Sequence, residues 1–187
     1  MAAKKIKEWY KIIAPKYFGE KEIGKTLATE PSNLIGKKIN LSAIELTDNF
    51  SKYYVKMVFR INKVDGKFAF TEFAGTECLR DYLSRMVLRR VRRIDTVQDF
   101  VTSDKKKITV KGLGVIGRRV KSSITVKVSN KIKELLKSIV ENSTLDDFID
   151  GMISDDIKAK ILKEIRPIYP LRNFEIRKTE VIGNISK

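Results

Sequence analysis

The stretch KYYVKMVFRINKVDGKFAFTEF, Lys52 to Phe73, decides the fold class. Tyr53, Val55, Met57, Phe59 and Ile61 alternate with Tyr54, Lys56, Val58, Arg60 and Asn62. That period of two predicts a strand over 52–64 with the first set on its buried face. Asp65-Gly66 follows, after which Phe68, Phe70 and either Glu72 or Phe73 continue an extended segment. An Asp-Gly pair between two alternating runs signals a β-hairpin, because glycine takes the positive φ that a tight turn requires.

Working outward, residues 38–46 predict another strand ahead of the hairpin. After it the period changes. Leu79, Tyr82, Leu83, Met86, Val87, Leu88 and Val91 fit one helical face with arginines interleaved on the other, so a basic helix is expected over 79–93. Residues 94–102 and 107–117 then read as strands around a charged turn at Asp104–Lys107. Residues 123–128 alternate like a strand yet lead into a helix, and both readings stay open. Toward the N-terminus, Ile6, Trp9, Ile12 and Ile13 predict a short helix within 1–13 that Pro15 closes. Residues 17–37 read as loops with one short strand near Lys25–Ala28. The C-terminal third is helical: Ile132, Leu135, Leu136, Ile139 and Val140 form one stripe over 130–141. Ser143 with Asp146 signals a cap for a short helix ending at Gly151, and Ser154 caps the next, which Pro167 stops. Residues 172–182 predict a last strand.

The expected class is α+β: a mainly antiparallel sheet or barrel-like core with a basic helix and a helical C-terminal part. Three segments are expected. Residues 1–37 form an N-terminal segment docking on RNA or core. Residues 38–128 form a β-rich core with the basic helix 79–93, and 129–187 a helical part ending in a strand.

Charge narrows the function. The chain carries 39 Lys and Arg against 23 Asp and Glu, a net charge of +16. A compact fold repels itself at that charge unless a polyanion neutralises it, so nucleic acid is the first candidate partner and an anionic membrane surface the second. A generally soluble basic protein is the bland alternative. No apolar run approaches the roughly 18 residues of a membrane span. Met1–Lys7 is positive without the apolar stretch of a signal peptide, and the single cysteine, Cys78, has no partner for an internal disulfide. A cytoplasmic protein is therefore expected. There is no histidine. That removes Ser/His/Asp triads, Cys/His pairs and His-ligated metals, the commonest routes to catalysis. No catalytic residue, cofactor, metal or small-molecule substrate is expected.

Two glycine motifs match without their context. Gly19-Glu-Lys-Glu-Ile-Gly24-Lys25-Thr26 fits the phosphate-loop pattern, but that chemistry needs a buried strand before the loop and a helix after it. Ala14–Phe18 makes a poor strand, and Pro31 arrives too soon for a useful helix. Gly112-Leu-Gly114-Val-Ile-Gly117 fits the dinucleotide fingerprint, yet Arg118–Ser123 opens a helix poorly and no set of βαβ units surrounds it. The plainer reading is a strand whose glycines allow a bend or a close backbone approach.

The basic residues do cluster. Arg80, Arg85, Arg89, Arg90, Arg92, Arg93, Lys105, Lys106, Lys107, Lys111, Arg118, Arg119 and Lys121 face only Asp81, Asp95, Asp99 and Asp104, a balance of +9 in 42 residues. Arginine's planar fork suits bidentate phosphate contact, which favours an ordered interface. The Lys105–Lys107 turn and the Arg118–Arg119 pair are expected to extend the helix surface along a phosphate backbone. The alternatives are a solvated helix face, for which only Asp81 offers an intrahelical partner, and a membrane-surface helix. Trp9, Tyr10 and Tyr17 sit among Lys4, Lys5, Lys7, Lys11 and Lys16, either stacking on unpaired bases or buried in the core. Residues 141–156 hold six acids and no Lys or Arg. They serve helix caps and first turns, or face a basic protein neighbour.

Several blocks carry a family resemblance. Trp9-Tyr10, Ala14-Pro15-Lys16-Tyr17-Phe18 and Ile23-Gly24-Lys25-Thr26 resemble the N-terminal signature of the S-one-e family of small ribosomal subunit proteins, formerly S-three-A-e. Phe73-Ala74-Gly75 with Leu79-Arg80-Asp81 resembles its central strand-to-helix junction. Ile168-Tyr169-Pro170-Leu171 and Arg177-Lys178 resemble its C-terminal segment. The blocks stand in family order over nearly the whole chain, and the length resembles that of archaeal members. Thr102–Gly114 departs from the family by being lysine-rich where a short turn is usual.

The resemblance implies a structural constituent of the small ribosomal subunit in the cytoplasm, supporting translation within a ribonucleoprotein. It implies rRNA binding on the platform near the messenger RNA exit, with neighbouring ribosomal proteins as partners and messenger RNA as a candidate contact. Lys16, Lys25, Arg177 and Lys178 join the central cluster, Lys111 apart, as expected RNA-binding residues. A free-standing RNA-binding module or RNA chaperone is the alternative, and no membrane is expected.

Overall fold

The computed structural model describes residues 7–47 and 49–184, with Asn184 described in its backbone only. By internal contacts the chain forms two units, Met1–Gly75 and Thr76–Lys187. The class is α+β, with eight mostly antiparallel strands and five α-helices among the described residues.

The first unit is built on the hairpin that opened the sequence. β4 (Val55–Asp65) and β5 (Phe68–Cys78) are joined by the turn at Gly66, whose φ is +56°. β3 (Lys38–Ser42) pairs with β4, and α1 (Ala43–Thr47) follows β3 directly, so the strand expected over 38–46 is half strand and half helix. Met57, Phe59 and Ile61 are buried as the alternation requires. Tyr53 is exposed and Tyr54 buried instead, because a 3-10 turn at Phe50–Lys52 delays the strand to Val55.

The helix expected within 1–13 is a strand over its described part. β1 (Glu8–Ile13) pairs antiparallel with β2 (Glu22–Ala28) and parallel with β5. Two neighbours supplying backbone hydrogen bonds outweigh a weak helical spacing, and Tyr10 and Ile12 become the buried positions of a period of two. Ile6 lies outside the described residues. Tyr10, Ala28, Leu34, Ile61 and Ala69 pack together as the core of this unit, and Phe59 meets Phe18 and Phe73 edge-on.

In the second unit the end of β5 pairs with β8 (Asn173–Asn184), β8 with β7 (Lys106–Ile116), and β7 with β6 (Arg92–Val101). The pairing is open, a sheet and not a barrel. α3 (Ser122–Glu141) absorbs the ambiguous residues 123–128 into one long helix whose stripe of Val128, Ile132, Leu136 and Val140 is buried. α4 (Leu145–Ile153) starts one residue later than the Ser143 signal. Thr144 is the N-cap and forms a reciprocal capping box with Asp147, and the helix runs on through Gly151. α5 (Asp156–Ile165) is preceded by Asp155 in the left-handed region, while the Ser154 hydroxyl donates to Asp156 instead of capping. Pro167 lies just past its end, as expected.

The basic helix is shorter than expected. α2 covers only Arg80–Met86, Arg90 has φ +70°, and Arg92 already belongs to β6. Like charges at 85/89 and 89/93 would repel along a continued helix. The pairing of Arg92 with Ile116 and of Arg93 with Val115 claims the chain for the sheet.

Candidate nucleic-acid interface

Within the second unit, α2 is fastened to β8 by polar side chains. Tyr82 donates its hydroxyl to the buried Glu175 carboxylate at 3.0 Å, and Lys158 of α5 donates to the same carboxylate. Asn173 reaches the Met86 sulfur, and the buried Cys78 thiol donates to the Ile176 carbonyl at 3.1 Å. These contacts fix the angle at which α2 lies and so where Arg80 points.

Between α2 and the sheet lies a cleft of about 700 Å³ lined by Arg80, Arg93, Lys111, Arg177 and Lys178, with Glu77 as its one acid. Leu83, Ser84 and Val87 form its helical wall. Strand register brings the cations together. Lys111 of β7 stands opposite Lys178 of β8, and Arg177 is its neighbour on β8. Five cations in a concave, half-exposed cleft focus a positive potential suited to phosphate oxygens.

Not all of that charge is equally available. Glu180 accepts from Lys178 at 2.8 Å and from Lys111 at 3.2 Å. The Lys178 hydrogen bond, and then that from Lys111, hold the Glu180 carboxyl below its ordinary range; Glu180 in turn raises Lys178. Arg93 is held in a fork by both oxygens of Asp95 at 2.8 Å. Arg80 and Arg177 have no carboxylate within ion-pair distance among the described residues. They are the cleft cations that no described carboxylate engages.

The expected site residues therefore divide. Arg80, Arg93, Arg177 and Lys178 line the cleft. Arg85 lies in the last turn of α2, and Arg89 and Arg90 occupy the turn that follows. Arg92 opens β6 opposite Ile116, the strand end that leads into Arg118, Arg119 and Lys121, so this group gathers at one end of the unit. Lys105, Lys106 and Lys107 do not extend that surface. They lie at the far end of the β6–β7 hairpin, where Val101 pairs with Lys107, about 30 Å away at roughly 3.3 Å per strand residue. There Ser103 bonds the Glu141 and Ser143 carbonyls, and Asp104 accepts from the Leu145 amide. The lysine turn is thus anchored beside the acidic 141–156 stretch. Lys107 pairs with Asp99, whose carboxyl is lowered chiefly by the Thr109 hydroxyl and then by Lys107. Lys16 and Lys25 belong to the first unit.

Lys111 is the lining residue that pattern reading passed over. It is one basic residue among thirteen in sequence, and only the β7–β8 register distinguishes it. The two glycine motifs resolve as strand geometry. Gly24, Lys25 and Thr26 are paired residues of β2, and a Cβ on Gly112 would stand 2.7 Å from the Thr96 hydroxyl oxygen and 3.1 Å from the Phe174 ring. No described helix is long and apolar enough to cross a membrane.

Comparison with known proteins is decisive at this point: the profile of the ribosomal S3Ae family matches residues 2–184. The chain belongs to the ribosomal S3Ae family. Relatives named small ribosomal subunit protein eS1 are similar along nearly all of it. That of Methanothrix thermoacetophila is 36% identical over 179 residues, 96% of this chain and 85% of the relative. That of Methanopyrus kandleri is 38% identical, covering 95% and 86%, and that of Sulfurisphaera tokodaii 33%, covering 95% and 92%. All three are archaeal, in keeping with the expected archaeal character. Ile-Gly-Lys-Thr at 23–26 is thus a strand of a ribosomal S3Ae protein.

Proposed function

We propose that this protein is a non-catalytic structural constituent of the small ribosomal subunit in the cytoplasm, where it binds rRNA on the platform near the messenger RNA exit. The observation that carries the RNA-binding part is the cleft of Arg80, Arg93, Lys111, Arg177 and Lys178, in a chain whose relatives bear the name of a small-subunit protein. Binding works by shape and phosphate neutralisation: the arginine forks and lysines of the second unit displace counterions from the rRNA backbone. Arg85, Arg89, Arg90, Arg92, Arg118, Arg119 and Lys121 extend this contact at the same end of the unit. The Lys105–Lys107 turn, beside the acidic helices, meets a separate rRNA segment or a neighbouring ribosomal protein. Lys16 and Lys25 add contacts from the first unit.

The test is sedimentation of the tagged protein from cell lysate at moderate salt. Co-sedimentation with small subunits is expected, and cross-linking in those subunits should map rRNA to peptides containing Arg80 and Arg177. A protein confined to the free pool would overturn the ribosomal reading and favour a free-standing RNA-binding module.

A further inference from the structure

The first unit carries a second surface that phosphate neutralisation does not explain. Tyr10, Ile12, Ala28 and Ala69 point into the core, so the alternate residues of the same strands share the opposite face. Register aligns them: Trp9 stands opposite Leu27, Lys11 opposite both Lys25 and Phe68, and Ile13 opposite Phe70. Trp9 is 60% exposed, Phe68 47%, Leu27 41% and Phe70 38%. With Lys11, Lys25, Lys67 and Asp65, the three aromatic residues line one open trough of about 970 Å³.

Large apolar side chains gathered on a sheet face in contact with water mark a binding surface. Charge decides what binds. Lys11 and Lys25 share a single carboxylate, Glu22, at 3.0 and 4.0 Å, and Asp65 is 3.7 Å from Lys63 outside the trough. Cations therefore outnumber acids around the rings, and Lys11 stands two residues from Trp9 on β1 and opposite both Lys25 and Phe68. An apolar protein partner would be matched by a patch with an uncharged centre. Rings set between cations match a chain that presents flat bases and phosphates in turn. Phe68 and Phe70, two residues apart on β5, stand about 6.8 Å from one another along the strand. Each ring can therefore take its own base from an unstacked strand. A duplex hides its base faces and offers these rings nothing.

We propose that the β2-β1-β5 face, through Trp9, Phe68 and Phe70 flanked by Lys11, Lys25 and Lys67, is a stacking platform for unpaired bases of single-stranded RNA. It goes beyond the rRNA phosphate contact of the second unit and does not depend on that cleft.

Trp9 is the sole tryptophan of the chain and reports directly on stacking. The full-length protein is titrated with single-stranded oligouridylate and oligoadenylate of about eight nucleotides, within the usual site size of such platforms, with a duplex of the same length, and with inorganic polyphosphate. Single strands should quench the Trp9 emission; duplex and polyphosphate should leave it nearly unchanged. Phe68→Ala, read by the same quenching, should weaken single-strand binding about five- to hundred-fold, the factor that corresponds to one lost base stack. The pair Phe68→Leu with Phe70→Leu keeps apolar bulk but removes the ring faces, and should weaken it comparably. Duplex binding by the wild-type protein, read by filter retention beside the Trp9 titration, reports the cleft by itself, so that failure of the cleft and failure of the platform are read separately. Equal quenching by polyphosphate would overturn the proposal, as would single strands that leave Trp9 unquenched. Wild-type binding by the leucine pair would also overturn it.

Discussion

Replacing Arg80 and Arg177 together by glutamine should flatten the salt dependence of rRNA binding by an amount the ion pairs of the cleft fix in advance. Five cations line it. Lys111 and Lys178 are committed to Glu180 and Arg93 to Asp95, so their net release of counterions is reduced by the carboxylates they already neutralise. Arg80 and Arg177 should each count as one full phosphate contact. Each such contact contributes roughly 0.7–0.9 to the slope of log affinity against log salt, so the double variant should lose about 1.4–1.8. Over a fourfold rise in salt, the wild-type protein should then lose about 7- to 12-fold more affinity than the variant. The assay is filter binding to the fragment of small-subunit rRNA that the protein protects from cleavage, at fixed magnesium. An unchanged slope would refute the argument that these two arginines meet phosphate. A loss no larger than that caused by Lys111→Gln with Lys178→Gln would refute the argument that Glu180 sets which cations count.

Three further outcomes follow from the second unit. Lys158→Met removes the ammonium that pairs with the buried Glu175, which should cost about 3 kcal/mol and lower the melting temperature by about 6–12 °C; Lys158→Met with Glu175→Gln should recover part of it in the same calorimetric scan. Gly112→Ala drives a methyl against Thr96 and Phe174 and should cost about 1–3 kcal/mol in urea unfolding; an alanine variant as stable as wild type would mean the β7–β8 backbone yields easily there. Glu180 is held below its ordinary value of 4.5, first by Lys178 and then by Lys111, so its stabilising contribution is complete above that pH. It should be lost as pH falls below 4.5 and through the lower folded value. Urea midpoints measured across that range should fall less steeply for Lys111→Met with Lys178→Met than for wild type.

Much of this protein is determined locally, and those parts are legible in the chain itself. The β4–β5 hairpin is such a part: period-two burial, a glycine with positive φ and a two-sided apolar pattern all act within twenty-odd residues of one another. The buried stripe of α3 and the stop at Pro167 are determined in the same way. Net charge and the absence of histidine are likewise properties of the chain itself, and they carry the expectation of a polyanion partner and weigh against the commonest catalytic sites. Tertiary structure decided what depends on partners distant in sequence. Glu8–Ile13 is a strand because β2 and β5 supply its hydrogen bonds. The helix expected to Arg93 ends at Met86 because β7 takes up Arg92 and Arg93. The charge cluster is one run in the sequence, but folding sends Lys105–Lys107 to the opposite end of a hairpin and brings Arg177 and Lys178 beside Lys111 through strand register. Composition fixes how much charge a chain carries; only the pairing of its strands fixes where that charge can meet a phosphate.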